Sequence, residues 1–284
     1  MTWHLLTTDF PPLDGGIATW TAGVAGALHD AGEPVEVHVR GRPEGRWPFP
    51  VVGMWGRSWA RWGGVWAAIS ARRHLAAGDR ILAATWPLAT HLVGAAPLLV
   101  AYHGSDLTRP PRVTGLERVR SAAINLPVSR FLGERLGAPF TVVPSPIDPL
   151  PPVRRGDRLL VIARLGPLKG VDRAIRLARR LDRPITVVGD GPERAALERL
   201  AGELGVDAVF TGRLAREAIP WDGAWALALL SRPDPAGGGE EGLGLVCLEA
   251  AARGIPSIGA PTGGIPEAAS VILEDPDEGV PGPL

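Results

Sequence analysis

The chain has 284 residues, enough for two α/β domains of about 130 to 150 residues each. Hydrophobic residues at 45% and charged residues at 21% exclude a disordered or fibrous protein, and a formal net charge of zero makes a nucleic-acid partner unexpected. The single cysteine, Cys247, excludes an intrachain disulfide, and no leader peptide or apolar run of about 18 residues is evident, so we expect a cytoplasmic protein with at most peripheral membrane contact.

Short apolar runs alternate with helix-like stretches, which is typical of βα units around a parallel sheet. In the first half of the chain this pattern predicts strands at 3–7, 35–39, 80–83, 97–102 and 140–143. A cluster of prolines then interrupts the pattern between 144 and 152, because proline continues neither a strand ladder nor a helix interior. We therefore predict two domains, residues 1–150 and 151–284.

The second half repeats the pattern, with predicted strands at 158–163, 184–188, 208–210, 226–230 and 256–259. Helices are predicted at about 170–181, 192–204 and 244–253. The predicted fold class is α/β, with two Rossmann-like lobes. Ligands of such folds bind outside the carboxyl ends of the strands.

The segment EGLGLVCLE, residues 241–249, places two carboxylates seven residues apart. If the segment is mostly helical, Glu241 and Glu249 lie on one face, about 12 Å apart by helical rise. Carboxylates accept hydrogen bonds from hydroxyl groups, so one elongated ligand with a sugar at one end and a ribose at the other would suit them.

The segment RLGPLKG, residues 164–170, joins a predicted strand to a predicted helix. Arg164 and Lys169, with glycines that let backbone approach and a helix N-terminus nearby, indicate a diphosphate site. Lys169 is also the only lysine in the chain.

These segments resemble the E-x7-E and R-x4-K-G motifs of the retaining family-4 glycosyltransferases, and GGIPE at 263–267 is similar to the family's GGxPE. The resemblance implies a GT-B fold with the active site in a cleft between the lobes. It implies that Glu241 contacts the donor sugar, that Glu249 binds the ribose, and that Arg164 and Lys169 neutralise the diphosphate. Glu240 is an alternative to Glu241.

Further donor-binding residues follow from the same resemblance, which is weaker before residue 110. GDGPE at 189–193 and TGRL at 211–214 are similar to family loops beside the nucleotide, and DGG at 14–16 to a loop beneath the donor sugar and phosphates. His103 is expected to bond a donor-sugar hydroxyl, and Asp106 to orient its ring. The predicted donor-binding residues in these loops and in the carboxylate segment are Gly15, Gly16, Gly189, Gly191, Arg213, Leu214, Gly244 and Leu245.

The resemblance implies retaining transfer without a protein nucleophile, in which the departing diphosphate takes the proton of the acceptor hydroxyl. Because no cluster of hard-cation ligands is evident in the sequence, we expect no catalytic metal and no cofactor besides a UDP- or GDP-linked sugar as co-substrate. Family members are commonly longer and end in a helix that braces the first lobe. Two alternatives are therefore open. One is a catalytically weak nucleotide-sugar-binding subunit that needs a partner, and the other is an epimerase or phosphorylase of this fold. Sugar, base, acceptor and oligomeric state are left open.

Four tryptophans, at positions 55, 59, 62 and 66, have the spacing of one helical stripe, which Ile69 continues. Three interpretations are open: a stripe that faces the core, an acceptor pocket that includes Trp55 and Trp59, or a membrane-surface helix flanked by arginines. The last would imply a lipid-linked acceptor.

Overall fold

The computed structural model describes residues 1–13, 15–55, 59–104, 107, 114–147, 150–233 and 240–278. The chain divides into two compact units, Met1–Pro146 and Ile147–Leu284. Each unit contains one six-stranded sheet in which every strand pair is parallel.

The first unit has the sheet order β3-β2-β1-β4-β5-β6. Its strands are β1 (Trp3–Thr7), β2 (Val35–Arg40), β3 (Val51–Met54), β4 (Arg80–Ala83), β5 (Leu98–Tyr102) and β6 (Ile124–Pro127). Its helices are α1 (Gly16–Asp30), α2 (Trp59–His74), α3 (Trp86–Ala89), α4 (Thr114–Ala122) and α5 (Arg130–Leu136). The apolar side chains of the central strands are almost fully buried, as expected for a parallel sheet covered on its faces.

The second unit has the sheet order β12-β11-β10-β7-β8-β9. Its strands are β7 (Arg158–Ile162), β8 (Ile185–Val188), β9 (Ala208–Gly212), β10 (Ala224–Leu229), β11 (Ser257–Gly259) and β12 (Val271–Ile272). Its α-helices are α6 (Val171–Arg180), α7 (Arg194–Glu203) and α8 (Leu245–Ala251). Successive β7 residues alternate between two apolar clusters, with Leu159 and Val161 in one and Leu160 in the other, so both faces of the sheet are covered.

The α/β prediction with two parallel sheets is confirmed, but three strands were missed and one was wrong. The strands β3, β6 and β12 were not predicted, since they are short and owe their pairing to distant parts of the chain. The predicted strand at 140–143 is not one: it follows β6 through an isolated bridge, in which Thr141 donates to the carbonyl of Asn125 at 2.9 Å. Prolines 139 and 144 lie on either side and lack the N–H that a longer ladder requires.

Among the described residues, no helix combines the length and the apolar character that crossing a membrane requires.

Candidate functional site

The order of strands in the second unit marks one position as a natural ligand site. From β7 the chain crosses to β8 on one side, and it later returns to β10 on the other side. The loops that leave β7 and β10 therefore diverge at their carboxyl ends. Open α/β sheets bind ligands at such a switch point.

The loop after β7 ends in a short 3-10 helix, Pro167–Lys169. It is followed by Gly170 in the left-handed conformation, with φ of 62°. A Cβ on Gly170 would lie 1.8 Å from the carbonyl oxygen of Leu230, just after β10, so only glycine lets the two loops approach this closely. This contact holds Lys169 beside the β10 loop.

The structure brings two of the predicted site residues into direct contact. Lys169 Nζ donates to Glu241 Oε2 at 2.6 Å, with 37% and 23% of the two side chains exposed. Arg164 lies in the same loop as Lys169, and its side chain is exposed. A cation and a carboxylate thus face each other at the switch point, where solvent and ligands can reach them.

The backbone beside Glu241 is fixed by the glycines of the GGIPE segment. Gly264 donates to the carbonyl of Glu241 at 2.9 Å, and a Cβ on Gly263 would lie 2.3 Å from that oxygen. Gly264 makes a similar approach to the carbonyl of Gly242, where a Cβ would lie 2.1 Å away. The two motifs are therefore packed backbone to backbone, which explains why the second one requires paired glycines.

An ion pair braces the start of the loop that leads from β10 to Glu241. Arg232 donates from both terminal nitrogens to Asp172, in the first turn of α6, at 2.6 and 2.7 Å. Burial alone would raise the pKa of Asp172, but the hydrogen bonds and charge of Arg232 outweigh it and lower that pKa. The carboxylate therefore stays ionised and keeps the β10 loop fastened to α6.

The interpretation of Glu241 and Glu249 as two positions on one helical face is wrong. The helix α8 begins at Leu245, after Gly244 with φ of 87°, so Glu241 lies in the preceding loop and only Glu249 is helical. A Cβ on Gly244 would lie 2.9 Å from the side chain of Leu229, so this glycine has a packing role. Leu245 is the half-buried first residue of the helix.

The second carboxylate, Glu249, is mostly buried and is already paired. Its Oε1 lies 2.5 Å from Nη2 of Arg216. Burial raises the pKa of Glu249, while the positive charges of Arg216 and Arg253 oppose that increase. Arg253 also donates to the backbone carbonyl of Glu249 at 2.9 Å. Arg216 was not among the predicted site residues, although it lies three positions after Arg213 in the same loop.

Two further predicted glycines lie where β8 leaves the sheet. A Cβ on Gly189 would lie 1.9 Å from the carbonyl oxygen of Ala163, and one on Gly191 would lie 2.3 Å from that of Leu165. Both glycines thus allow the β8 loop to cross the β7 loop. The predicted residues Arg213 and Leu214 follow β9, the first exposed and the second half-buried against the apolar cluster beneath α8.

In the first unit, Gly15 and Gly16 connect β1 to α1 and differ from the glycines above. Apart from the adjoining residues, a Cβ on either would meet no atom of the described parts of the chain within 4 Å. Gly15 has φ of 153° and ψ of 158°, which disfavours a side chain, whereas Gly16 is an ordinary first residue of the helix. Packing therefore gives no reason for glycine at position 16, and free space lies above this loop.

His103 follows β5, and its ring lies edge-on to Trp20 of α1 at 5.0 Å between centroids. Burial lowers the pKa of His103 to about 4, although a hydrogen bond with the Ala84 backbone opposes the shift. The imidazole is therefore neutral near pH 7, as suits a hydrogen-bonding role. Asp106, its predicted partner, lies outside the described residues.

Two residues of the tryptophan stripe, Trp62 and Ile69, do not face the core, whereas Trp66 is half-buried. Trp55 follows β3 instead of lying in α2, and it is 67% exposed. Trp62 is 47% and Ile69 37% exposed, and among the side chains of α2 that the structure describes, positions 62–74, the buried ones are the alanines at positions 67, 68 and 71. Trp59 begins α2, but its side chain lies outside the described part of the structure. The core-facing interpretation is thus wrong for Trp62 and Ile69.

Comparisons with known proteins match the second unit to a glycosyltransferase family. Residues 151–270 match the family model described as Glycosyl transferases group 1. A GDP-mannose-dependent alpha-(1-6)-phosphatidylinositol monomannoside mannosyltransferase of Mycolicibacterium smegmatis is 34% identical over 220 residues, covering 66% of this chain and 57% of that relative. A GDP-mannose-dependent monoacylated alpha-(1-6)-phosphatidylinositol monomannoside mannosyltransferase of Corynebacterium glutamicum is 35% identical over 126 residues, 40% of this chain and 33% of that relative. The chain thus spans little more than half of the M. smegmatis relative.

Solved structures share the fold at low sequence identity. The lipopolysaccharide outer core galactosyltransferase WaaB, in its apo form, has a TM-score of 0.72 at 15% identity, with 94% of this chain and 82% of that chain covered. Anabaena HepE in complex with UDP and glucose has a TM-score of 0.68 at 18% identity, with the same coverage of 94% and 82%. Residues 151–270 are therefore similar to the glycosyl transferases group 1 family, within a chain that has the GT-B fold seen in glycosyltransferase structures.

Proposed function

We propose that this protein is a retaining glycosyltransferase that moves mannose from GDP-mannose to an acceptor hydroxyl. The observation that carries the proposal is the contact between Lys169 and Glu241 at the switch point of the second unit. A lone cation held beside a carboxylate, both partly exposed, offers one partner for phosphate and one for sugar hydroxyls.

The donor would rearrange this pair. The diphosphate takes the place of Glu241 as the partner of Lys169, with Arg164 adding a second positive charge. The carboxylate of Glu241 is then free to accept hydrogen bonds from the sugar. Binding thus exchanges an internal ion pair for two contacts with the donor, and both charged groups keep hydrogen-bond partners.

The reaction then needs no protein nucleophile. The bond between the anomeric carbon and the diphosphate oxygen breaks, and a bond to the acceptor oxygen forms on the same face of the sugar. The acceptor proton passes to the departing diphosphate, whose negative charge Arg164 and Lys169 stabilise. No catalytic metal and no cofactor enters this scheme, so we expect transfer to be independent of added Mg²⁺ or Mn²⁺.

GDP-mannose is the donor that the names of the bacterial relatives favour. In the second unit, Glu249 would accept hydrogen bonds from the ribose hydroxyls. Arg216, which pairs with Glu249 in the free protein, would either move away from the carboxylate or bind it together with the ribose. Gly189, Gly191, Arg213 and Leu214 supply the surrounding loop, largely through backbone groups.

For the acceptor we propose a lipid-linked hydroxyl reached by peripheral contact with the inner face of a membrane. Two observations support this: Trp62 and Ile69 are exposed on α2, and Arg72 and Arg73 end the same helix. Indole and guanidinium groups together suit an anionic headgroup layer. The relatives are named for transfer to phosphatidylinositol mannosides.

The test is a donor panel scored by thermal shift, followed by an assay of transfer. GDP-mannose should raise the melting temperature more than UDP-glucose, because a bound donor stabilises the native state by mass action. Nuclear magnetic resonance of the product should show the α-configuration of the donor retained. An inverted product would reject the mechanism, and no shift with any nucleotide sugar would reject the function.

Release of GDP in the absence of any acceptor distinguishes an enzyme from a catalytically weak nucleotide-sugar-binding subunit. Incubated with donor alone, an enzyme of this kind releases GDP slowly by transfer to water. A binding subunit would show the thermal shift but release no GDP.

A further inference from the structure

Three titratable side chains converge in the first unit, on the sheet face that α2 covers. His4 is the second residue of β1 and lies in register with Glu36 on β2, and His38 follows Glu36 on the same side of β2. His4 Nδ1 lies 3.1 Å from His38 Nε2 and 3.8 Å from Glu36 Oε1, and His38 Nε2 lies 3.1 Å from Glu36 Oε1. Both histidines are buried and the glutamate is nearly so.

The outer nitrogens of both histidines are occupied, so their inner nitrogens point into the cluster. His4 Nε2 lies 3.2 Å from Asp79 Oδ2, and His38 Nδ1 lies 3.0 Å from Ser70 Oγ. An imidazole that donates its outer N–H to a carboxylate or hydroxyl presents a lone pair at its inner nitrogen. A metal-binding histidine is oriented in this way by a partner such as Asp79.

The two inner nitrogens lie within hydrogen-bond distance of each other, but only one proton fits between them, and the carboxylate oxygen beside them is not served by it. Glu36 Oε1 is buried and makes no well-aligned hydrogen bond to any described residue, although His74 Nδ1 also lies 2.7 Å from it. When both histidines donate outward, two imidazole lone pairs and a carboxylate oxygen face one another and repel, and burial makes that repulsion costly. A cation at their centre would turn the repulsion into three bonds.

We propose that His4 Nδ1, His38 Nε2 and Glu36 bind a divalent transition-metal ion, for which zinc is the best match. Zinc takes imidazole and carboxylate ligands at about 2.0–2.1 Å, so the ligand atoms of a tetrahedral site lie about 3.3 Å apart. The separations of 3.1, 3.1 and 3.8 Å are close to that value without rearrangement. His74, at the exposed end of α2, is nearest to the fourth position.

The role we infer is structural. His4 and Glu36 lie near the amino ends of β1 and β2, whereas the Gly15 and Gly16 loop leaves the carboxyl end of β1. Ligands bind α/β sheets at carboxyl ends, so a metal here would not meet the donor. It would join β1 to β2 and, through His74 and Asp79, hold the end of α2 and the start of β4 against them. The inference is independent of the proposed transferase activity.

The experiment measures zinc on tag-free, full-length protein. We expect about one zinc per chain by mass spectrometry after dialysis, a lower melting temperature after chelation, and its recovery when zinc alone is returned. Cobalt substitution should give the intense visible bands of a tetrahedral site. The only cysteine, Cys247, is buried in the other unit, so no thiolate would contribute to the spectrum.

Two variants make the test specific. Glu36→Gln keeps the size of the side chain and removes the charged ligand, and it should weaken zinc binding at least about 10-fold. His91→Gln removes an exposed histidine of the same unit and should bind zinc as the native protein does. The proposal would be overturned if the purified protein contained no metal and added zinc left its melting temperature unchanged. A shared proton, and not a metal ion, would then join the side chains of the cluster. Equal zinc contents and cobalt spectra in Glu36→Gln and the native protein would overturn it as well.

Discussion

The ion pair between Lys169 and Glu241 can be tested by removing each charge separately. In the free protein the carboxylate of Glu241 pairs with Lys169, so by the proposed function it would compete with a diphosphate for this lysine. A partly exposed pair is worth about 0.2–1 kcal/mol, so Glu241→Gln should tighten GDP binding by roughly 1.5- to 5-fold. The exposed fractions of 37% and 23% place the expected gain near the upper end.

Transfer should change in the opposite direction. A hydrogen bond to a charged group contributes about 1.5–3 kcal/mol, so losing the contact between Glu241 and the sugar should slow transfer roughly 10- to 100-fold. Lys169→Met, by contrast, should weaken GDP binding and slow transfer together. Glu249→Ala should weaken donor binding over the same range. Calorimetry with GDP and initial rates with GDP-mannose measure the two effects.

The neighbouring residue supplies the control. Glu240→Gln removes the same charge one position earlier and should leave both quantities close to those of the native protein. If Glu240→Gln lost transfer and Glu241→Gln did not, the sugar contact would belong to Glu240. If Glu241→Gln weakened GDP binding as Lys169→Met does, the competition between carboxylate and diphosphate would be refuted.

Other regions of the molecule give three further predictions. Gly263→Ala should lower the free energy of unfolding by about 1–3 kcal/mol, because its Cβ would collide with the Glu241 carbonyl at a left-handed backbone position. Gly16→Ala, with free space around it, should slow transfer without lowering the melting temperature. A loss of stability in Gly16→Ala would show that packing selects this glycine. His103→Ala should slow transfer more than it weakens GDP binding. Since the pKa of His103 falls to about 4 on folding, from about 6.5 in the unfolded chain, native stability should rise with pH between these values, and this slope should be shallower in the variant in urea titrations. In vesicle flotation, the native protein should bind anionic but not neutral vesicles, and added salt should weaken that binding. Trp62→Ala should also weaken the binding to anionic vesicles. Protein that stays in the soluble fraction with anionic vesicles at low salt would exclude the lipid-linked acceptor.

Local patterns predicted most of the second unit, where strands such as β7 and β8 are continuous apolar runs bounded by glycine or proline. These predictions were wrong where contacts with residues distant in the sequence determine the backbone conformation. The run at 140–143 is as apolar as a strand but pairs with β6 at a single bridge. The segment after Glu241 was expected to be helical, but contacts with Gly263 and Gly264 hold its first residues in an extended loop.

The site residues show the same division. Lys169 and Glu241 were predicted separately, from their motifs, but no sequence spacing indicated that they touch. Arg216 was missed because nothing in its own segment points to Glu249. The cluster of His4, Glu36 and His38 was missed since its members lie on two strands. Alternate positions 36 and 38 of one strand were a usable signal, but only the sheet order supplies His4.

The solitary lysine has a practical consequence for anyone who handles this protein. Amine-directed reagents have one side chain to modify, at position 169, besides the N-terminus. Acylation of that amine removes its positive charge and leaves one amide N–H in place of three donors. A nucleotide that occupies the site would shield it, so intact-mass spectrometry of labelled protein would report occupancy directly, without any substitution. Coupling the protein to a surface or a dye through amines would, for the same reason, block the group on which the proposed chemistry depends.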